Sequence, residues 1–507
     1  MSKFIVNRLP ELLAIAMLLL SSCVSHPDVP SSSKEVQNLP AIFPDYCNVT
    51  VPCNIAPLNF MLPAEEYDAC VARLSTPDGQ TQTYGKGVKV QIPESEWHDM
   101  LSASKGKSIK VEVWGEKAGE WLLFSPFEIR VAEDPIDEYV SYRLVEPTYV
   151  AWNYMSIAQR NLTSFEESEI FNNEITSNDR AKGQCINCHS YQNYKTDNML
   201  FHVRLSNAGT VIVNDGEVSR VNLKRDYTIS SGVYPSWHPT EKLIAFSTNQ
   251  TRQAFYTAHL DKIEVYDLES DLILYDIAKD SVIVVSNDPE LLEIYPTWSP
   301  DGNYLYYGKS VPLPEEMKGK DIHTTYEKIQ YNLYRKSFDV ASLSFGEEEL
   351  VYDAASKNKS ATLPRISPDG CYMLFPEGQY GCFHTRHGDA DVMCVTLDGH
   401  FPIENDSVTG TSPFVDLTNF NSEGFADTYP SWSSNGHWIM CSTRRGDGNY
   451  SRLYFSYFND GKVEKAFMLP QEDPEQNTYR LKCYNRPEFM VEPVKISADE
   501  FAKVFDR

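Results

Sequence analysis

A segment that occurs four times in the second half of the chain limits the possible folds more than any other feature of the sequence. Each copy places an aromatic or apolar residue before a proline, and an apolar run follows about eight residues later. The copies are Tyr234-Pro235-Ser236-Trp237, Tyr295-Pro296-Thr297-Trp298, Leu363-Pro364-Arg365-Ile366 and Tyr429-Pro430-Ser431-Trp432. Their prolines lie between 61 and 68 residues apart. A near-constant period of this size indicates repeated supersecondary units.

Each unit contains the elements of a four-stranded sheet. A strand, a turn built from Pro, Asp or Asn, and Gly, and a second strand form a hairpin. A further strand pair follows each copy, as at Ile263–Leu268 in the first. Four strands per unit are typical of a β-propeller blade. With a weaker unit at Leu200–Leu223, and a blade closed by strands from both ends, we predict a five- or six-bladed propeller over residues 199–490. Residues 491–507 are predicted to be a C-terminal tail.

The repeat resembles the WD40-like PD40 repeat of TolB-like propellers over roughly residues 200–475. The Ser-Pro-Asp-Gly turn after an aromatic strand carries this resemblance. The third copy departs from the pattern, because Ile366 stands where the other copies have Trp. The resemblance implies the architecture only, since propellers serve enzymes and scaffolds alike.

Charge and composition exclude some classes of partner. The 507 residues include 45 Lys and Arg against 71 Asp and Glu, which gives a formal net charge of −26. Such a chain repels phosphate backbones, and no long basic run interrupts the excess of acid, so nucleic acid is excluded as a partner. The 30 Tyr and 30 Pro against 25 Gly favour strands and tight turns, and therefore a mainly β protein.

The N-terminus has the pattern of an export signal. Basic residues precede an apolar run at Leu12–Leu20, which is too short to cross a bilayer. Leu20-Ser21-Ser22-Cys23 resembles the bacterial lipobox, which implies cleavage after residue 22 and acylation of Cys23. The alternative is an ordinary secretory signal that ends in a Cys by chance. Residues 23–38 read as a tether, and we expect a lipid-anchored protein of the cell envelope, at the outer membrane and facing the periplasm. Display on the cell surface is the other possibility.

Two further regions precede the propeller. Residues 39–133 alternate apolar and polar residues, as in Ile109–Trp114 and Phe127–Val131, which predicts a small β-sandwich. Residues 134–198 have only a weak helical period, around Tyr154–Arg160. We therefore predict a mostly irregular connector there.

The connector carries the motif with the most specific chemistry. Cys185-Ile186-Asn187-Cys188-His189 is a C-x-x-C-H sequence, the attachment motif for one covalent haem c. In this interpretation Cys185 and Cys188 bind the porphyrin and His189 is an axial iron ligand. A thiol redox pair is an alternative, although the flanks lack a βαβ pattern. A zinc site is another, although no second ligand pair follows at finger spacing. Export favours haem.

A sixth iron ligand would come from elsewhere in the chain. Met199 and His202 follow the motif and point to opposite faces of a strand, so at most one would bind. We favour His202, because it shares a face with Arg204, which can pair with a haem propionate. Met199, a distant residue such as His238, or a five-coordinate iron remain as alternatives.

The remaining residues add little chemistry. Eight further cysteines are Cys47, Cys53, Cys70, Cys371, Cys382, Cys394, Cys441 and Cys483. Cys47 can pair with Cys53 or Cys70, but sequence fixes no connectivity. No Gly-x-Ser-x-Gly nucleophile motif occurs.

The whole pattern resembles a group of Bacteroidetes lipoproteins that are labelled cytochrome c-related or TolB-like. We expect a monohaem c-type cytochrome whose propeller docks a redox partner, with electron transfer rather than catalysis as its role. A non-redox envelope scaffold, which binds proteins through the propeller, is the second hypothesis. A haem enzyme with an open iron position is the third.

Overall fold

A computed structural model of the chain describes residues 26–147, 154–175, 184–205, 207–256, 263–317, 319–404 and 412–505. The signal segment and Cys23 lie outside these ranges. No helix in the described part of the chain has the length and apolar character that a membrane crossing requires.

The N-terminal domain is mainly β, with one seven-stranded sheet and a helix packed against it. Its elements are β1 (Lys34–Glu35), β2 (Thr50–Val51), β3 (Phe60–Met61), β4 (Ala69–Ser75), β5 (Thr81–Tyr84), β6 (Lys89–Val90), α1 (Glu94–Ser104), β7 (Ser108–Lys117), β8 (Glu120–Leu123) and β9 (Phe127–Val131). β9 alternates buried and exposed residues, as its sequence predicted. The layer over the sheet is formed by α1 and the two-stranded β3–β6 sheet, and Trp97 and Leu101 of α1 are fully buried there.

Six sheets then form the propeller. Three of the blades are regular four-stranded sheets: blade 1 is β13 (Gln184–Gln192), β14 (Lys195–Leu205), β15 (Gly209–Asn214) and β16 (Glu217–Val221); blade 2 is β17 (Gly232–Trp237), β18 (Leu243–Phe255), β19 (Ile263–Asp276) and β20 (Ser281–Ser286); blade 3 is β21 (Glu293–Trp298), β22 (Tyr304–Ser310), β23 (Tyr331–Asp339) and β24 (Ser344–Tyr352). Two are less regular: blade 4 is β25 (Ser360–Ala361), β26 (Arg365–Ile366), β27 (Tyr372–Gly378) and β28 (Asp391–Thr396); blade 5 is β29 (Asp427–Trp432), β30 (Trp438–Thr443), β31 (Arg452–Asn459), β32 (Lys462–Val463) and β33 (Phe467–Met468).

Blade 6 joins the two ends of the propeller. Its strands are β10 (Tyr139–Val145), β11 (Met155–Asn161), β12 (Glu167–Asn172) and β34 (Cys483–Met490), in the order β12-β11-β10-β34. The innermost strand thus comes from the C-terminal part of the chain, so strands from both ends close the ring, as predicted. The prediction of an irregular connector over residues 134–198 is wrong, because this stretch supplies three strands of blade 6 and the first of blade 1.

Short helices complete the described fold. They are α2 (Gln476–Tyr479), α3 (Ala498–Ala502) and the 3-10 turns Glu315–Met317, Ile322–Thr324, Tyr326–Lys328, Ala355–Lys357 and His384–Arg386. The last residues are therefore a packed tail rather than an extended one, and Phe501 of α3 is fully buried against Phe171 and Phe201.

The turn of the repeat has a clear physical basis in blade 3. The carboxylate of Asp301 accepts hydrogen bonds from Ser299 Oγ at 2.5 Å and from the Asn303 backbone N–H at 3.0 Å. Gly302 has a φ of +73°, a conformation that residues with a Cβ rarely adopt. A Cβ there would also lie 2.4 Å from the His238 ring. Ser, Asp and Gly therefore stabilise the hairpin that the sequence repeat predicts.

The N-terminal domain and the propeller share one hydrophobic core. The cluster contains Trp97, Val111 and Ile129 of the domain together with Trp438 and Phe455 of blade 5. Polar contacts reinforce the boundary: Asn59 Nδ2 donates to the Glu472 carbonyl at 2.9 Å. The two parts are thus packed against each other as a single body.

Candidate functional site

The innermost strand of every blade carries the same local distortion. In each, one residue with a positive φ interrupts the pairing with the second strand; in blade 4 it lies between β25 and β26, which both pair with β27. The six residues, with φ between 49° and 57°, are Cys188, Tyr234, Tyr295, Leu363, Tyr429 and Arg486. Non-glycine residues rarely adopt this region, so six equivalent cases define a structural repeat. Neighbouring inner strands are in contact around the ring, which places these six residues around the propeller channel.

In blade 1 the C-x-x-C-H motif lies in the innermost strand, and its second cysteine, Cys188, is the residue with the positive φ. Cys188-His189-Ser190-Tyr191 occupies the positions that Tyr234-Pro235-Ser236-Trp237 occupies in blade 2, and the pairing is interrupted at the first two residues of both. His189 thus stands where each of the other five blades has a proline. In blade 6 the corresponding segment is Arg486-Pro487-Glu488-Phe489.

A pocket opens at one end of the channel, beside four of these six residues. It has a volume of about 1,050 Å³, including the part open to solvent. Cys188, Tyr234, Tyr429 and Arg486 line it. Its walls contain four further arginines, which are Arg143, Arg204, Arg386 and Arg444. We call this site the arginine pocket.

The hairpin formed by the two middle strands of blade 2 contributes to one wall of the arginine pocket. β18 and β19 are 13 and 14 residues long, and their pairing continues as far as Phe255 and Ile263. Thr251 and Val265 of this long hairpin line the pocket. Phe255 at its end is 41% exposed.

Both cysteines of the motif line the arginine pocket, whereas the histidine does not. Cys185 and Cys188 are buried free thiols. Burial is the main reason that the pKa of Cys185 is raised. His189 is 1% exposed, and its Nε2 has no hydrogen-bond partner among the residues described. Burial, with the Arg486 and Arg143 guanidinium groups nearby, lowers the pKa of His189 to about 3, so its ring is neutral at pH 7.

The other predicted ligands have separate positions. Arg204 lines the pocket, in register with Cys185 on the neighbouring strand. His202 is buried outside the pocket lining, with its Nδ1 3.2 Å from Thr210 Oγ1. Met199 is fully buried in an apolar cluster with Phe201.

His238, the distant alternative, belongs to the interface between blades 2 and 3. A ring nitrogen lies 3.2 Å from the Gly302 carbonyl, and the ring packs on Trp298 with centroids 4.9 Å apart.

These positions fit haem attachment only in part. The two thiols and the arginines face one pocket, which suits thioether bonds and propionate groups. The neutral, unpartnered Nε2 of His189 has the chemistry of an iron ligand but lies outside the lining of that pocket. Within the described ranges, no group of three or more His, Cys, Asp or Glu side chains has the arrangement of a metal site.

The remaining described cysteines are free thiols. Cys47 and Cys70 are buried and Cys53 is partly buried, so the pairing considered for the N-terminal domain is not formed in this structure. Burial raises the pKa of Cys47 and of Cys70, each to about 12.

Sequence reasoning missed the arginine wall of the site. Arg143 and Arg486 lie far apart in sequence and meet because β10 and β34 pair in blade 6. Arg386 and Arg444 lie outside the repeat motif, in a short 3-10 turn and after β30. One signal was available: Arg486-Pro487 has the x-Pro pattern of the other inner strands.

No protein-family model matches the chain, and no curated protein matches it in sequence. Solved structures show a distant likeness in fold. A luciferin-regenerating enzyme aligns with a TM-score of 0.36 and 10% identity, covering 66% of this chain and 98% of that chain. Prolyl oligopeptidase B from Galerina marginata aligns with a TM-score of 0.35 and 11% identity, covering 64% of this chain and 44% of that chain. The β-propeller domain of Cps50 (Swd1) from Myceliophteria thermophila has a TM-score of 0.28 and 12% identity, covering 55% of this chain and 86% of that chain. The six-bladed assignment rests on the strand pairings.

Proposed function

We propose that the protein is a non-catalytic interaction module of the cell envelope, and that the propeller face with the arginine pocket docks a partner protein. The long β18–β19 hairpin beside the pocket carries this proposal, because it lines the pocket and bears the exposed aromatic Phe255. Aromatic side chains, Phe among them, are enriched in protein–protein interfaces. No hydrolase-type nucleophile motif in the sequence competes with this interpretation.

A photocrosslinker at Phe255 tests the docking face. We expect p-benzoylphenylalanine at this position to give a discrete adduct with an envelope protein when intact cells are irradiated. The same residue at Val284, which is 36% exposed on the outermost strand of the same blade, is the matched control and should give none. Mass spectrometry of the adduct would identify the partner. Equal adducts from both positions, or none from Phe255, would contradict the docking face.

Covalent haem c is a second candidate, favoured by the two thiols that line one pocket with arginines. When bound, the haem would supply one-electron transfer. Cys185 and Cys188 would hold it through thioether bonds, and Arg204 would neutralise a propionate. His189 and His202 would be the residues that bind the iron, with Met199 as the alternative to His202. In this case the docking partner would be a redox protein.

A haem stain after denaturing electrophoresis tests this candidate. Protein made with the bacterial haem-attachment machinery should stain, and the double variant Cys185→Ser, Cys188→Ser should not, because both thioether bonds are lost. Cys371→Ser replaces an exposed thiol elsewhere and should keep the stain. An unstained parent protein would exclude the cytochrome hypothesis and leave the interaction module in place.

The location at the envelope rests on the lipobox-like segment that ends at Cys23. We expect labelled fatty acid to be incorporated into the parent chain and not into Cys23→Ala, because the Cys thiol is the acceptor. Several acyl chains hold a protein firmly in a membrane, so high salt should not release the parent. Release by salt would mean that the protein is not anchored in this way.

A further inference from the structure

We propose that the arginine pocket is a binding site for a small organic anion, one that carries a carboxylate or phosphate group beside an apolar or aromatic part. Binding of this small molecule would be a function distinct from the docking of a partner protein, because it takes place inside the pocket at one end of the channel.

The first support is an arginine whose donors have no partner. Arg486 is 7% exposed, and its Nε and Nη1 lack hydrogen-bond partners among the described residues. The Nε of the nearby Arg143 also lacks a hydrogen-bond partner among the described residues. Burying charged donors without partners is costly, whereas a carboxylate or phosphate can accept two parallel hydrogen bonds from one guanidinium. An oxyanion in the pocket, which both arginines line, would compensate the charge of these guanidinium groups.

The second support is the charge balance of the walls. Arg143 donates to the Asn485 side chain at 3.0 Å, and Arg444 donates to the Thr385 backbone carbonyl, so both arginines use neutral acceptors. Neither they nor Arg486 form an ion pair with a described carboxylate.

The acidic groups near the pocket have partners of their own. Glu488, in the strand that carries Arg486, forms an ion pair with Arg365. Asp267 accepts hydrogen bonds from Asn249 at 2.6 Å and from Thr251 at 2.7 Å. Among the described residues that line the pocket, Glu146 is the one acidic residue, against five arginines. The pocket is therefore a positive site in a strongly negative protein.

The third support is the apolar part of the lining. Phe383, Tyr234, Tyr429 and Val265 line the same cavity as the arginines. Sites that bind small molecules usually combine apolar walls with a few polar groups. An anion with a ring or a short apolar chain would use both kinds of surface.

The net charge of the protein favours a small ligand over an acidic macromolecule. At physiological salt the field of a charge is screened over about 8 Å. A small anion inside the pocket is influenced mainly by the arginines. An acidic protein would also face the surface that gives the chain its net charge of −26.

Calorimetric titration of the full exported chain with three matched compounds tests the proposal. Phenyl phosphate and benzoate carry the two anionic groups on one ring, and benzamide is the neutral control. We expect saturable binding of at least one anion and none of benzamide. Which anion binds more tightly tells whether the site prefers phosphate or carboxylate.

Two arginine variants locate the binding. Arg486→Gln should weaken binding of the preferred anion at least tenfold, and Arg486→Lys should weaken it less, because the charge remains while the fork is lost. Arg130→Gln, in the N-terminal domain with its side chain 58% exposed, should bind as the parent does. Absence of binding to the parent, equally tight binding of benzamide, or equal weakening by Arg130→Gln would each overturn the proposal. Because the parent titration needs no variant, a folding defect in Arg486→Gln leaves the test intact. A missing crosslink or haem stain has no bearing on this result.

Discussion

Replacement of Trp438 by alanine is expected to lower the free energy of unfolding by about 3–5 kcal/mol. The side chain is 0% exposed, its Nε1 donates to the Asp134 carbonyl at 3.3 Å, and its ring packs on Tyr457 with centroids 5.0 Å apart. The variant would leave a large cavity and a carbonyl without its donor. Urea unfolding followed by circular dichroism measures the loss. Tyr479→Ala, at a side chain that is 70% exposed, should change the free energy of unfolding by less than about 0.5 kcal/mol.

The same variant tests whether the two parts of the molecule form one cooperative body. Trp438 of blade 5 lies in the cluster that also holds Val111 and Ile129 of the N-terminal sheet. Amide hydrogen exchange should therefore accelerate in β7 and β9 as well as in β30 when Trp438 is truncated. Faster exchange confined to β30, or a loss of stability below about 1 kcal/mol, would show that the core is not shared in this way.

The regular blades could be predicted because their signal is local. The turn in blade 3 is stabilised by contacts among Ser299, Asp301 and Asn303, with Gly302 between them, so neighbouring residues in the sequence determine its conformation. Blade 6 could not be predicted in detail, since β10 pairs with β34, more than 300 residues away in sequence. The stretch at Tyr139–Val145 carries no turn motif that marks it as part of a blade.

Part of the lining of the arginine pocket was visible in the sequence for the same reason, while the haem site stays a prediction. Cys185, Cys188 and Arg204 were identified from one short segment, and all three line the arginine pocket. The correspondence between Cys188 and the positive-φ residues of the other blades could not be predicted, because Cys188-His189 does not resemble the x-Pro pairs at those positions. Its positive φ is imposed by the blade rather than by residue preference, as for Tyr234. Function follows from the residues of the site rather than from the fold, because propellers carry many unrelated functions.

Acid should destabilise the protein through its buried histidines, and His384 gives a direct test. Burial, with His387 adding to it, lowers the pKa of His384 to about 3. Burial lowers the pKa values of His189 and His202 to about 3 as well. A histidine in the unfolded chain has a pKa of about 6.5. Between about pH 6.5 and 3 the unfolded chain therefore binds protons that the folded chain does not, so stability decreases as the pH falls.

Buried carboxyl groups act in the opposite direction, so the parent protein alone cannot isolate the histidines. Burial raises the pKa of Asp267 and of Asp391 to about 6 in each case. Below about pH 6 the folded chain takes up these protons before the unfolded chain does, which increases stability. A comparison between parent and variant at two pH values removes this contribution, because it is common to both proteins.

We therefore expect His384→Gln to reduce the stability difference between pH 7.5 and pH 5 by about 2 kcal/mol. At pH 5, which is about 1.5 units below the unfolded-state pKa of 6.5, protonation of the histidine in the unfolded chain lowers the free energy of unfolding. Each pH unit corresponds to about 1.4 kcal/mol. The Gln amide can still donate to the Tyr380 and Gly381 carbonyls, which lie 3.2 and 3.1 Å from His384 Nε2. Urea unfolding at both pH values measures the difference. His400→Gln, at a side chain that is 92% exposed, is the control and should keep the pH dependence of the parent. If His384→Gln keeps it too, His384 is not the neutral buried group that its surroundings require.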